Sequence, residues 1–148
     1  MECKRALTET GGDHEAAKKL LKAQGAVIAQ KKADRVASQG LVESYVHGGG
    51  RIGVLVEVNC ETDFVARSDD FRQLARDLAM QIAAMNPRLI GNEESVDPAD
   101  TTAEEILLSQ QFIRDPSVTV QDRINETVGR VRENIVVRRF ARFQLGQE

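Results

Sequence analysis

Aromatic residues are scarce in this sequence, which has no tryptophan, one tyrosine and five phenylalanines among 148 residues. The hydrophobic fraction of 41% is nevertheless ordinary for a globular protein. A chain of this length can bury a substantial core. We therefore expect a core of aliphatic side chains, in one domain or in one domain with a small helical module.

Cysteine and histidine are equally scarce. Cys3, Cys60, His14 and His47 lie far apart in the chain, so they form no disulfide framework and have no metal-ligand spacing. We expect no metal and no cofactor. Reduced cysteines are typical of a reducing compartment, so we expect a cytoplasmic or organellar protein.

The net charge and hydropathy of the chain argue against further classes of protein. The net charge of −3 argues against a dedicated nucleic-acid binder, which would usually be basic. No apolar run approaches the roughly 20 residues that span a bilayer. Residues 1–5 are not followed by an apolar segment, so we expect no secretory signal. We therefore expect direct contact neither with nucleic acid nor with a membrane.

The first part of the chain has a helical pattern. Residues 1–25 read as a partial helical module in which Asp13 caps a helix and Gly25 ends it. Such a unit normally needs a third helix, and none is visible. Residues 26–39 read as a basic linker helix carrying Lys31 and Lys32, a pattern that is more often simply a solvated surface.

The remaining residues, 40–148, combine strand and helix patterns. Apolar residues alternate over 52–60 after a glycine turn, which predicts an antiparallel hairpin. A long helix should start at the Ser68 cap and end at Asn86–Pro87, with a short helix near 106–108, a break at Asp115–Pro116 and another helix over 120–131. A third strand should follow, with these residues on its inner face: Ile135, Val137, Ala141, Phe143 and Leu145. The order predicts an α+β fold with a small three-stranded antiparallel sheet packed with helices.

Enzymatic chemistry has weak support in the residues. Cys60 could be a nucleophile with His47 across the hairpin as its base. However, Glu61 and Asp63 would raise the pKa of the thiol, and Cys60 also continues the apolar face of its strand. We expect no catalytic residue.

The corner after the second strand is unusual. Phe64 and Val65 are bulky apolar residues where polar turn residues are expected. Phe64 either folds back as a staple on the following helix or projects as a wedge into a partner, since an apolar group exposed at a tip usually marks a contact site. The pattern alone leaves both interpretations open.

Four segments together resemble the elongation factor Ts family. RIGVLVEVNCETDFVAR (51–67) resembles the family signature, and CKRALTETGGDHEAAKKLL (3–21) resembles its ubiquitin-associated-like N-terminal module. AMQIAAMNP (79–87) and ENIVVRRFARFQLG (133–146) resemble its core helix and last strand. The matches cover most of the chain in the right order.

The resemblance implies a partner and a function. Members bind elongation factor Tu carrying GDP and promote GDP release during translation elongation, without covalent chemistry. It implies that the motif Thr62, Asp63, Phe64 and Val65 enters the GTPase near its magnesium site. Weaker contacts are implied for Met1, Lys31 and Lys32, and for residues that match a helix touching the β-barrel region of the GTPase: Ala79, Met80, Gln81 and Ile82.

Two departures from the family pattern open an alternative. The family normally begins about twenty residues further upstream, with a first helix and a Gly-Ala-Gly-Met turn. Met1 falls inside that turn, so the N-terminal module is expected to be incomplete. The stretch 88–106 is too short for a helical insertion that relatives carry. The chain therefore resembles the compact, single-core form, which often acts as a homodimer through its sheets. The alternative is a diverged protein that binds elongation factor Tu or the ribosome without exchanging nucleotide.

Overall fold

The computed structural model describes residues 2–92, 97 and 99–147. The elements, in chain order, are α1 (Glu2–Glu9), α2 (His14–Lys32), β1 (Gln39–His47), β2 (Ile52–Cys60), α3 (Asp63–Ala66), α4 (Asp69–Met85), β3 (Gln111–Phe112), β4 (Asp115–Thr119), α5 (Val120–Val131) and β5 (Val136–Gln144). The predicted α+β class is confirmed. The helix predicted near 106–108 is instead two short 3-10 turns, at 103–105 and 107–109.

The three-stranded antiparallel sheet is confirmed, with strand order β1-β2-β5. The period-two pattern of β2 buries one row of side chains, from Val54 to Cys60. Helix α4 lies across this inner face and begins at the Ser68 cap, as predicted. Its buried stripe completes a largely aliphatic core, and its members include Phe71, Leu74, Leu78 and Ile82.

The inner face of β5 was predicted incorrectly beyond Val137. Glu57 pairs with Arg139 while Val58 pairs with Val137, so the register shifts by one residue at Arg138. A bulge of this kind reverses which side chains face the core. The predicted inner residues Ala141, Phe143 and Leu145 therefore lie exposed on the outer face of the sheet or just beyond the strand end.

Helix α2 does not end at Gly25, contrary to the prediction. Asp13 caps it by accepting from the backbone amides of Glu15 and Ala16, and the helix then runs unbroken to Lys32. Gly25 is instead buried against α5, where an added Cβ would lie only 3.0 Å from the carbonyl oxygen of Asn125. The division into 1–25, 26–39 and 40–148 stays a prediction, but its first boundary falls within a continuous helix.

The predicted break at Asp115–Pro116 is the start of strand β4, which pairs with β3 in a small second hairpin. This hairpin lies over α4 and is bound to it through Gln81. The side-chain oxygen of Gln81 accepts from the amide of Ile113 at 2.9 Å, and its nitrogen donates to the carbonyl of Gln111 at 3.0 Å. The short strands were invisible to periodicity because they contain only two and five residues.

Candidate functional site

Residues 61–68 form a corner between β2 and α4, which we call the exchange corner after the role that the family resemblance implies for it. Two helix caps shape it. The hydroxyl of Thr62 accepts from the amide of Val65 at 3.3 Å and starts the single turn of α3. The hydroxyl of Ser68 accepts from the amide of Phe71 at 3.3 Å and starts α4. The turn of α3 ends at Ala66 and α4 begins at Asp69, so the two caps mark separate helices.

The exchange corner has a buried underside and an exposed tip. Val65 and Ala66 are buried in the core, whereas Phe64 is 86% exposed. Phe64 therefore does not fold back as a staple on α4. The prediction that Val65 contacts the partner needs a correction. Its side chain is buried, so it holds the corner to the core and offers no contact surface.

Asp63 also lies on the exposed side of the corner. Its carboxylate pairs with the guanidinium of Arg67, one turn further on, at 2.5 Å. The pair is exposed to solvent, so it stabilises the fold little. The pair links the first residue of α3 to its C-cap residue, Arg67.

Two glutamates tie the corner to the segment between α5 and β5. Glu133 accepts from the backbone amides of Glu61 and Thr62, at 3.1 and 2.9 Å, and from the hydroxyl of Thr62 at 2.7 Å. Glu61 in turn accepts from the amide of Asn134 at 2.7 Å. Sequence reasoning missed Glu133, because no spacing or period relates residues 71 positions apart.

The end of α2 contacts the same segment. The side-chain amide of Asn134 donates to the carbonyls of Ala33 and Arg35, at 3.3 and 2.8 Å. This places Lys31 and Lys32, in the last turn of α2, next to the segment that also holds the exchange corner. Lys31 is exposed and Lys32 half-buried.

The second predicted contact, on α4, needs a correction. Ala79, Gln81 and Ile82 are fully buried, because the inner face of the sheet and the β3–β4 hairpin cover them. Their side chains form no surface, and only Met80 is partly exposed. Met1 lies outside the described residues.

The thiol-enzyme alternative is wrong in its geometry. Cys60 pairs with Gln39 and His47 pairs with Ile52, so the two residues lie at opposite ends of the hairpin, about 26 Å apart along the strand. His47 instead contacts the hydroxyl of Tyr45 at 2.8 Å. Burial, reinforced by the Glu133 charge, raises the pKa of Cys60 to about 11.

We expect native-state alkylation to modify Cys3 and spare Cys60. Cys3 is exposed and Cys60 is buried, and with a pKa of about 11 only about one part in a thousand of the Cys60 thiol is ionised at pH 8. Mass spectrometry after iodoacetamide treatment should find one label on the native chain and two in urea. Rapid labelling of Cys60 in the native chain would contradict its burial.

Neither a cluster of metal ligands nor a membrane-spanning helix is present in the described part of the chain. Within residues 2–92, 97 and 99–147, no group of three or more His, Cys, Asp or Glu side chains could hold a metal ion. No helix in these ranges is long and apolar enough to cross a bilayer.

Comparison with known proteins gives a consistent result. The family model described as Elongation factor TS matches residues 7–114. Elongation factor Ts of Syntrophomonas wolfei is 48% identical, over 99% of this chain and 83% of its own length. The proteins of the same name from Heliobacterium modesticaldum and Geotalea daltonii are 47% and 46% identical, again over 99% of this chain and over 83% and 82% of their own lengths.

The same comparison reveals a difference in length. The alignment with the Syntrophomonas protein covers 178 positions, whereas this chain has 148 residues. At least 30 positions of that relative therefore have no counterpart here. This agrees with the prediction that the chain lacks an internal segment of its relatives.

Proposed function

The chain belongs to the elongation factor Ts family and is a factor of translation elongation, and we propose that it acts as a guanine nucleotide exchange factor for elongation factor Tu. We further propose that it works in the cytoplasm, or in an organelle with bacterial-type translation. In this function it binds elongation factor Tu carrying GDP and speeds GDP release. Exchange requires no covalent step, so the chain would have no catalytic residue and no cofactor.

The observation that carries the proposal is the position of Phe64. A phenylalanine that is 86% exposed at the tip of a capped corner makes no contribution to the core. Burial of such a ring in a partner removes roughly 150–250 Å² from water, which is worth several kcal/mol on the scale of about 25 cal/mol per Å². Large aromatic side chains of this kind are typical interface hot spots.

The proposed mechanism is a wedge. Magnesium and the phosphate-binding loop of the GTPase hold the diphosphate of GDP. Insertion of Phe64, with Asp63 beside it, would displace the GTPase segments that make those contacts. Lys31 and Lys32, in the last turn of α2, would add a second contact. Linkage requires that GDP weaken binding of the exchange factor by the factor by which the exchange factor weakens GDP.

Stopped-flow release of a fluorescent GDP analogue from elongation factor Tu tests the proposal directly. The chain should accelerate release in proportion to its concentration until the GTPase is saturated. Binding without acceleration would favour the alternative, a diverged binder without exchange activity. The absence of at least 30 positions found in a relative is the specific observation behind that alternative.

We also propose that the chain forms a homodimer through the outer face of its sheet. That face carries an exposed apolar patch, comprising Val42, Val46, Leu55, Phe143 and the adjacent Leu145. Phe143 and Val46 lie on either side of Gly53, which adds no side chain between them. Exposed apolar patches of this kind commonly mark protein contacts.

We expect Phe143→Arg to convert the dimer into a monomer, because it places a charge in the centre of an apolar interface. Sedimentation equilibrium should give about twice the chain mass of 16.4 kDa for the wild type and the single mass for the variant. Phe64→Arg, the same change at the other exposed phenylalanine, should leave the dimer intact. A wild-type chain that is monomeric at tens of micromolar would contradict the proposed dimer.

A further inference from the structure

Phe64 has no packing of its own to hold it in place. It is 86% exposed, and it follows Thr62 by only two residues. Its position is therefore set by the backbone of the exchange corner. If that backbone were mobile, the cost of ordering it would be subtracted from the binding free energy of every encounter with a partner.

The backbone at this point is fixed by the carboxylate of Glu133. One of its oxygens accepts from the amides of Glu61 and Thr62, and the other accepts from the Thr62 hydroxyl. Thr62 is also the residue that caps α3. Glu133 thus binds the start of the turn that presents Phe64, from a segment 71 residues away.

The attachment is reciprocal. Glu61 accepts from the amide of Asn134 at 2.7 Å, while Glu133 accepts from the amide of Glu61. Two neighbouring carboxylates would normally repel each other. Here backbone amides donate to both, and the Arg35 guanidinium lies 3.7 Å from Glu61. Hydrogen bonds to a charged acceptor are stronger than neutral ones, so the corner is well fixed.

We infer that Glu133 is a positioning residue for nucleotide exchange: it pre-orders the exchange corner so that Phe64 is presented to the GTPase in its binding conformation. This inference rests on the proposed function. Glu133 is expected to act through the exposed residues of the corner, chiefly Phe64, without touching nucleotide or magnesium itself.

A double-mutant cycle tests whether Glu133 acts through Phe64. Glu133→Ala should lower the exchange rate about tenfold in the wild-type chain, the equivalent of one lost charge-assisted hydrogen bond. In the Phe64→Ala background the same change should cost much less, because the main group that it positions is gone. Equal losses in both backgrounds would overturn the inference.

Two further variants distinguish a positioning role of Glu133 from an effect of its charge and from a general loss of stability of the chain. Glu133→Gln keeps an oxygen for the two amides and an NH₂ group that can donate to the Thr62 hydroxyl, so exchange should stay within about threefold of the wild type. Glu105→Ala is the matched control. Glu105 also fixes a loop, accepting from the amide of Thr102 at 2.9 Å and pairing with Arg88, but its loss should leave exchange unchanged. An exchange loss from Glu105→Ala equal to that from Glu133→Ala would overturn the inference.

A second measurement needs no partner at all. The chain has no tryptophan, so Phe64→Trp introduces a single fluorescent probe at the tip of the corner. Its time-resolved anisotropy should show restricted motion in the otherwise wild-type chain and clearly greater motion when Glu133→Ala is added. Identical anisotropy decays would overturn the inference. If the wild-type chain fails to accelerate GDP release, the proposed function is wrong. The anisotropy comparison would still show whether Glu133 restricts the motion of residue 64, because it requires no partner.

Discussion

Phe64→Ala should reduce GDP exchange on elongation factor Tu at least about 30-fold, since truncation of an aromatic hot spot typically costs 2 kcal/mol or more. The free energy of unfolding should change by less than about 0.5 kcal/mol, because the side chain is 86% exposed and supports no other residue. Stopped-flow nucleotide release and urea denaturation of the same sample measure the two quantities. A loss of exchange with unchanged stability is what a wedge requires.

Phe143→Ala is the matched control for this variant. Phe143 is 76% exposed in the single chain, so in the monomer the change removes the same ring from a comparable environment. It pairs with Gly53, at the opposite end of β2 from the exchange corner, about 23 Å along the strand. Exchange per molecule should be retained in Phe143→Ala. Equal losses in the two variants would show that the tip of the corner has no special role.

The sequence was sufficient to predict the structural features that depend only on neighbouring residues. The alternation in β2 predicted its buried row, and Ser68 and Asp13 were correctly identified as helix caps. Caps and alternation are decided within one or two turns of chain. The corner was singled out on a local pattern as well, since Phe64 and Val65 are bulky apolar residues where polar turn residues are expected.

Sequence reasoning failed where a distant partner decides the outcome. Gly25 looked like a helix stop, but it allows α2 to approach α5 at Asn125. The bulge at Arg138 reversed the faces of β5 without any local signal. Glu133 could not be assigned to the exchange corner, because its partners lie 71 and 72 residues earlier. In each case the outcome depends on tertiary contacts that a local pattern does not report.

Asp77 is the most consequential residue that sequence patterns did not mark. Its side chain is only 3% exposed and pairs with two arginines, Arg123 at 3.2 Å and Arg114 at 3.3 Å. Gln73 also donates to it, at 2.9 Å. A carboxylate in the middle of α4 looks like a surface residue until α5 and the β3–β4 hairpin cover it. The arrangement therefore fixes both elements to α4.

Asp77→Ala should destabilise the chain by about 3 kcal/mol, because it leaves the Arg123 guanidinium, 14% exposed, without a counter-charge. This corresponds to a fall in Tm of roughly 6–12 °C for a domain of this size. Urea denaturation should show a lower midpoint with an unchanged slope. The exchange corner should remain intact, so exchange activity per folded molecule should persist below the new Tm.

Asp70→Ala provides the control, since Asp70 lies on the same helix and also pairs with an arginine, Arg130, but both side chains are about half exposed. Its loss should cost under about 1 kcal/mol. A cost for Asp77→Ala no greater than this would contradict the role of the buried pair. Adding Arg123→Met to Asp77→Ala should then recover part of the lost stability. A destabilisation caused by an unpaired buried charge is relieved when that charge is removed, whereas one caused by a cavity is not.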